Sequence, residues 1–345
     1  MGYNKIELFR SRKGVSLSSL AREVGISRQS LYAIEAGGQI PKVYLAISIA
    51  KVLGVDVSDL FPQESQRPVR VDFHRGRPAK FRACLAEIDG VTIIRQSSSV
   101  GFAAPPAPAD AVVCGSGSNF EIESELSRSS MFLDGCDPVL GIISTRISEG
   151  NGDFRVRWFY GSNKDSLLKL RSGLTHCALV HGEADEIRSE VGYSAEYVTV
   201  PFGRWELALC FLPTNPKRIS SFDDLLTPGV RFAAREEGSG VRHFVDNFMV
   251  MTGIDSDQIE GTETFGDHYQ VAAAVELGLC DAGVIPVSVA ENQGLGYISV
   301  GTHQSSLIFS KNGYSLAVER GIFDLVNSAL FGKEVAALGG YELFN

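Results

Sequence analysis

The sequence predicts a multidomain protein in which a small all-α domain precedes a larger α/β domain of two lobes. Residues 4–61 place apolar side chains at helical spacing in four short segments, with a tight turn at Gly25. From about residue 130, strand-like and helix-like segments alternate, which is typical of parallel α/β folds. Residues 167–181 and 271–285 each run from helix through glycine to a strand of small residues, and this repetition predicts two similar lobes.

The order of these patterns predicts three parts of the chain, at residues 1–65, 66–129 and 130–345. The middle part opens with an arginine-rich stretch at 67–82, which is either an arm that contacts phosphates or a solvated tether. Asp89-Gly90 then predicts a hairpin turn in a small β element.

Charge is distributed very unevenly along the 345 residues. The formal net charge is −9, which by itself argues against nucleic acid as a partner. Residues 1–82, however, carry 14 basic and 7 acidic side chains, whereas residues 83–345 carry 18 basic and 34 acidic ones. This asymmetry predicts a nucleic-acid-facing amino-terminal part joined to a part with another task.

Several protein classes lack their sequence signals here. No signal peptide or membrane-spanning segment is apparent, so we expect a cytoplasmic protein that does not bind membranes. The six cysteines form no C-x-x-C pair, which predicts reduced thiols and neither a disulfide framework nor a metal site. We expect His176, Cys177 and His181 to pack rather than to bind metal or catalyse, and we expect no cofactor. No nucleotide-binding or hydrolase motif occurs, so we expect no enzyme.

The residues of the amino-terminal part resemble a known domain. The run from Ser16 to Pro41, followed by residues 45–55 and Leu60-Phe61, is similar to the Cro/repressor-type (XRE) helix-turn-helix domain. The resemblance covers about 60 residues. It implies that the third helix enters the DNA major groove by its amino-terminal end.

This resemblance assigns DNA-contacting roles to seven residues. It makes Arg28, Gln29 and Tyr32 the base readers, because arginine pairs with guanine and glutamine with adenine. It places Ser27, Ser30, Lys13 and Lys42 near phosphates. The alternative is a helical bundle used for protein docking.

Residues 130–345 resemble the type 2 periplasmic-binding-protein-like domain that occurs behind helix-turn-helix modules, in regulators connected with molybdate metabolism. The matching segments are residues 135–138, 161–163, 175–181, 215–216, 222–225, 237–242, 268, 277–283 and 339–341. The resemblance implies a cleft between two lobes that are joined by hinge strands, here at 198–202 and 314–318. It implies ligand contacts at Asp137, Ser162, Arg204, Ser239, Arg242 and His268.

Two departures from the family pattern bear on the ligand. Val241 stands where relatives usually have threonine, and Glu206 replaces a neutral amide. A tetrahedral oxyanion needs many donors and few carboxylates. An organic ligand with one anionic group, stacked on Trp205, Tyr160 or Tyr269, therefore fits at least as well as molybdate.

Together these patterns predict a ligand-responsive transcription factor, for example a repressor. It would bind a double-stranded DNA operator as a homodimer or higher homo-oligomer, and a small anionic effector in the cleft would change operator affinity. Two alternatives stay open at this point: a constitutive DNA-binding regulator with a vestigial cleft, and a cleft enzyme fused to a DNA-binding domain.

Overall fold

The computed structural model describes residues 4–61, 69–73, 79–97, 108–116, 119–125, 129–182, 196–254, 258–259 and 261–344. The chain forms two compact units, Met1–Arg67 and Pro68–Asn345.

The described part of the first unit is a bundle of short helices. They are α1 Ile6–Arg12, α2 Leu17–Glu23, α3 Arg28–Glu35, α4 Val43–Leu53 and α5 Val57–Leu60. Ser16 and Ser27 begin α2 and α3, because each hydroxyl accepts a hydrogen bond from a backbone N–H of the first turn. Gly25, with φ 75°, makes the turn between these helices. The helical segments predicted for this part are confirmed.

A five-stranded sheet opens the second unit. Its strands are β1 Val69–Asp72, β2 Lys80–Ile88, β3 Val91–Gln96, β4 Ala111–Ser116 and β5 Asn119–Glu125, in the order β1-β3-β2-β4-β5. The predicted hairpin is confirmed, since β2 and β3 pair antiparallel around Asp89 and Gly90, both with positive φ. The β element predicted for residues 66–129 is thus a whole sheet within the second unit.

The described cations of the arginine-rich stretch have partners within the second unit. Arg70 Nη1 donates a hydrogen bond to the Ser172 carbonyl oxygen at 2.6 Å, and Lys80 Nζ pairs with Glu123 at 2.5 Å. Arg67, Arg75 and Arg77 lie outside the described residues, so the choice between phosphate arm and tether stays a prediction.

The larger sheet of the second unit contains nine strands. Eight follow in the order β11-β10-β12-β9-β13-β8-β6-β7, and β14 pairs with β9. The strands are β6 Ser129–Asp134, β7 Phe154–Phe159, β8 Cys177–Gly182, β9 Tyr197–Phe211, β10 Phe232–Arg235, β11 Glu263–Phe265, β12 Ala282–Pro286, β13 Gly296–Ser310 and β14 Tyr341–Leu343. The helices are α6 Val139–Gly150, α7 Asn163–Arg171, α8 Gly240–Thr252, α9 His268–Glu276, α10 Val287–Asn292, α11 Lys311–Glu319, α12 Ile322–Val326 and α13 Ala329–Ala336, with a 3-10 turn at Phe222–Leu226.

This arrangement confirms the predicted α/β architecture of two lobes. The first lobe buries residues of β6, β8, α6 and α13, and the second buries residues of β10, β12, α8 and α9. Strands β9 and β13, each of 15 residues, pass through both lobes and pair with each other along almost their whole length.

One predicted hinge strand is wrong. Residues 198–202 lie in β9 as expected, but residues 314–318 lie in α11. Ser310 begins that helix by accepting a hydrogen bond from the Gly313 N–H, and β13 ends there. A short apolar run has no periodicity that separates strand from helix, so the sequence placed the second connection one element too late.

Candidate functional site

The first candidate surface is the exposed side of α3. Leu31 and Ile34 are buried in the core of the first unit, while Arg28 and Gln29 are exposed and Tyr32 is 64% exposed. The predicted base readers therefore share a solvent-facing side and its amino-terminal end. This is the geometry in which a helix can present side chains to base edges.

The predicted phosphate contacts of this unit also have structural roles. Ser27 Oγ accepts from the Ser30 N–H at 3.0 Å and lies 2.8 Å from Ser30 Oγ. Lys13 Nζ donates to the carbonyl oxygen of Val52, near the end of α4, at 2.7 Å. Lys42 is exposed and is the residue before α4.

A second candidate site lies between the two lobes of the second unit. Helices α6, α7, α8 and α9 each begin shortly after the carboxyl end of a strand, namely β6, β7, β10 and β11. Ligands of open α/β sheets bind at such strand ends. Ser162, Ser239 and Asp267 cap three of these helices through their side chains.

The strand ends bring a thiol and several imidazoles together. Cys136 Sγ lies 2.9 Å from His181 Nε2, and the ligating atoms of Cys136, His181 and His268 all lie within 4.8 Å of one another. His181 Nδ1 in turn lies 3.0 Å from His303 Nδ1. All four residues are buried, and we call Cys136, His181 and His268 the thiol–imidazole cluster.

Neighbouring strands of the sheet place aromatic groups beside this cluster. Trp205 on β9 pairs with His303 on one side and Tyr341 on the other. The rings of His181 and Trp205 are 4.5 Å apart at 76°, and those of Trp205 and His268 are 5.6 Å apart. The buried aromatic face therefore follows directly from the register of β14, β9 and β13.

Close contact between the lobes requires a glycine at the start of α8. A Cβ at Gly240 would lie 2.7 Å from His181 Cε1 and 2.8 Å from the His181 carbonyl oxygen. Any larger residue would push this helix away from β8, and hence one lobe away from the other.

An ion pair between a buried arginine and a partly exposed glutamate lies on the second-lobe side of the site. Arg235 Nε and Nη2 each donate a hydrogen bond to one carboxylate oxygen of Glu236, at 2.9 and 2.8 Å. Arg235 Nη1 also lies 2.8 Å from His268 Nδ1. The Cζ atom of Arg235 lies 5.9 Å from the centre of the Tyr160 ring. A permanent positive charge is therefore held in the interior next to His268.

Three buried polar atoms around the site have no hydrogen-bond partner among the described residues. They are Asp137 Oδ2, Tyr160 Oη and Trp205 Nε1. The other oxygen of Asp137 accepts from the Tyr341 hydroxyl at 2.5 Å and from the Val139 N–H at 2.9 Å. Leaving a buried polar group unpaired costs about 1–3 kcal/mol, so a ligand that satisfies these atoms would bind favourably.

Burial changes the protonation of the groups in the site. It raises the pKa of Cys136 to about 12 and that of Asp137 to about 6. Burial also lowers the pKa of both His181 and His268 well below the ordinary value. Both imidazoles are therefore neutral at neutral pH, and the one lone pair of His268 faces the Arg235 guanidinium, which can only donate.

The structure brings some of the six predicted ligand residues together and separates others. Asp137 and His268 lie in the site and are fully buried, and Ser239 is buried next to Gly240. Ser162 caps α7. Arg204 does not reach the site: its side chain is 48% exposed and pairs with Glu342 on the opposite face of β9 from Trp205.

The contacts of Arg242 are with Asp246 and the Arg235 carbonyl oxygen. Its Nε pairs with Asp246 one helical turn later at 2.8 Å. Both residues line a cavity of about 280 Å³ within the second lobe, between α8 and strands β10 and β12. Its role as a ligand contact stays a prediction.

Sequence reasoning missed several residues of the site. Cys136 and His181 lie within segments that match the family, yet the sequence predicts that both pack in the core, and its patterns predict no contact role for Arg235, His303 or Tyr341. No local spacing links them, since Cys136 and His303 are far apart in the chain. Only the alternation of β13 and β9, which puts His303 beside Trp205, could have suggested a shared face.

Comparisons with known proteins agree with this architecture. A PBP superfamily domain profile matches residues 144–320 and a helix-turn-helix profile matches residues 6–60. The uncharacterized protein YvgK of Bacillus subtilis is 25% identical over 227 residues, which are 62% of this chain and 71% of YvgK. The uncharacterized HTH-type transcriptional regulator MJ0272 of Methanocaldococcus jannaschii is 39% identical over 61 residues, 18% of this chain and 92% of that protein.

A solved structure supports the fold of the second unit. A putative phosphate ABC transporter substrate-binding protein from Clostridium perfringens, with bound phosphate, superimposes with a TM-score of 0.50 at 13% identity, over 63% of this chain and 100% of that one. None of the helices in the described part of our chain has the length and apolarity that a membrane span requires. By the profile that matches more than half of its length, the chain belongs to the PBP superfamily, and it carries an XRE-type helix-turn-helix domain at its amino end.

Proposed function

We propose that this protein is a transcription regulator that binds an operator through α3 and responds to a small molecule held between the lobes. The observation that carries the proposal is one chain that combines an exposed recognition-type helix with a buried interlobe site in which three polar atoms have no hydrogen-bond partner among the described residues. Relatives of the first unit are named HTH-type transcriptional regulators. The regulators and binding proteins that this chain resembles are in general not enzymes.

The unpaired atoms favour a particular class of effector. Trp205 Nε1 can only donate and Asp137 Oδ2 accepts, while Tyr160 Oη does either. A ligand that satisfies all three needs both an acceptor and a donor. We therefore favour a small organic acid with a hydroxyl or amino group over a fully deprotonated oxyanion, which Asp137 would repel.

Regulation also requires that the effector distinguish two states of the protein. A ligand changes DNA affinity only through unequal affinity for those states. Strands β9 and β13 connect the lobes, so closure of the lobes around the effector is the change we propose. We further propose a homodimer on a two-fold symmetric operator, since such domains bind paired half-sites.

The test measures both activities on the full chain. An operator is first selected from random DNA, and a panel of phosphate, molybdate and hydroxy and amino carboxylic acids is screened by thermal shift. A hit should raise the melting temperature and change operator affinity by at least about fivefold, the lower end of typical coupling between sites. Tyr160→Phe should weaken effector binding and leave DNA binding unchanged. The control Tyr314→Phe, at a residue packed against the first-lobe core, should change neither effector binding nor DNA binding.

The outcomes separate the two parts of the proposal. If no sequence is enriched in the selection, the DNA-binding part is wrong. If an operator is found but no panel member changes its affinity, the response to small organic acids is wrong.

A further inference from the structure

We propose that the thiol–imidazole cluster of Cys136, His181 and His268 binds a transition-metal ion of the zinc class and thereby links the two lobes. The three ligating atoms already lie within 4.8 Å of one another, and all three residues are buried. Tetrahedral zinc places its ligands about 3.5 Å apart. Side-chain rotations that bring the three atoms to that spacing would surround an ion.

The donor set selects the class of metal. One thiolate and two imidazoles are ligands that zinc and copper prefer, whereas magnesium and calcium take oxygen ligands. Three protein ligands leave a fourth position for water or another small ligand. A coordinating thiol is deprotonated by the metal itself, so the thiol of Cys136 need not be ionised beforehand.

A second shell already orients the central imidazole. His181 Nε2 faces the Cys136 sulfur at 2.9 Å, while its Nδ1 faces His303 Nδ1 at 3.0 Å. One proton on His181 Nδ1, donated to His303, leaves the Nε2 lone pair directed at the thiol. Histidine ligands of zinc typically have their other nitrogen fixed in this way.

The strongest opposing feature is Arg235, whose Nη1 lies 2.8 Å from His268 Nδ1 and 3.2 Å from His268 Nε2. A guanidinium can only donate, so it occupies the lone pair of His268, and metal binding requires that this contact be given up. Glu236 holds that guanidinium at two points and largely neutralises it. The thiolate of Cys136 would offset part of the ion's charge. Glu236 thus offsets the guanidinium and the thiolate offsets the ion.

Metal binding would act across the interlobe boundary. Cys136 follows β6 and His181 lies near the end of β8, both in the first lobe. His268 is the first residue of α9 in the second lobe. An ion held by all three would keep the lobes closed. This inference goes beyond the proposed function, because it requires neither DNA nor an organic effector.

The experiment uses the full chain, stripped with a chelator and titrated with Co²⁺ as a spectroscopic probe. One equivalent of Co²⁺ should produce the near-ultraviolet charge-transfer band of a cobalt–thiolate bond. Added Zn²⁺ should displace the Co²⁺ and remove the band. Cys136→Ser should abolish the band and His268→Gln should weaken Co²⁺ binding at least about tenfold. Cys177→Ser, a buried thiol outside the cluster, and Cys114→Ser should both retain the band.

Metal binding by the wild-type protein tests the proposal even if a variant fails to fold. Absence of a stoichiometric band, together with no Zn²⁺ retained after equilibrium dialysis, would overturn the proposal. A band that persists in folded Cys136→Ser would place the ion on another cysteine and overturn it as well. Operator binding measured on the metal-free protein tests the proposed function separately.

Discussion

Arg28 on the exposed side of α3 is the residue whose role is most directly testable. It has no core contact to lose, because Leu31 and Ile34 supply the buried side of the helix. We expect Arg28→Ala to weaken operator binding by about 1–3 kcal/mol, the cost of one bidentate base contact. The measurement is fluorescence anisotropy with operator and with random DNA. An equal loss on both would show that Arg28 contacts phosphates instead.

His176 is the buried histidine that links the five-stranded sheet to the first lobe. Its Nδ1 accepts from the Phe132 N–H at 3.0 Å and its Nε2 lies 3.3 Å from the Glu87 carbonyl oxygen. Both contacts fit a neutral ring with the proton on Nε2. Burial lowers the pKa of His176 from 6.5 to about 4.

This lowered pKa predicts a specific pH dependence of stability. The neutral ring contributes fully above the ordinary pKa of 6.5, and the contribution is lost as the pH falls through about 4. We expect the unfolding free energy of the wild type to fall by about 3 kcal/mol relative to His176→Asn across that interval. Chemical denaturation of both proteins over a pH series measures the difference, in which all shared groups cancel. A constant difference would contradict a neutral buried His176.

At the scale of elements, the five-stranded sheet is joined to the first lobe by buried charge as well as by packing. Arg95 on β3 donates to Asp134 at the end of β6 at 2.9 Å, and its guanidinium lies 3.7 Å from the Phe159 ring centre. Arg95 Nε also lies 3.0 Å from Asp72 Oδ2 on β1, as an ion pair without a hydrogen bond. Removing the arginine would leave the fully buried Asp134 with Lys169 Nζ, at 3.7 Å, as its remaining ion-pair partner among the described residues.

We therefore expect Arg95→Met to destabilise the second unit by about 3–5 kcal/mol, the usual cost of breaking one side of a buried ion pair. The matched control is Arg146→Met, whose partner Glu334 is partly exposed, and which should cost no more than about 1 kcal/mol. Urea denaturation followed by tryptophan fluorescence measures both. Similar losses for the two variants would mean that the sheet is not anchored through Arg95.

Prediction of the elements succeeded where the local pattern was periodic. The helices of the first unit and the Asp89-Gly90 hairpin follow from apolar spacing and turn chemistry. The second hinge was misplaced because residues 314–318 carry no such periodicity. Arg204 was expected in the cleft, but alternation along β9 places it opposite Trp205.

For the whole molecule, the division into two compact units predicts two unfolding transitions. Leu31 is fully buried in the first unit, so Leu31→Ala should cost about 2–5 kcal/mol there. Calorimetry of the full chain should show one transition lowered and the other unchanged. A single transition that shifts as a whole would mean that the units unfold together.

Local sequence patterns were enough to predict the helical amino-terminal unit, the α/β class of the second unit and the side of α3 that faces solvent. Those features depend on local spacing, capping and charge, which neighbouring residues specify. The interlobe site could not be predicted in this way, because Cys136, His181, His268 and His303 come together through strand order and register across distant segments. Burial then sets the protonation of these groups, and no local pattern in the sequence encodes burial between two lobes.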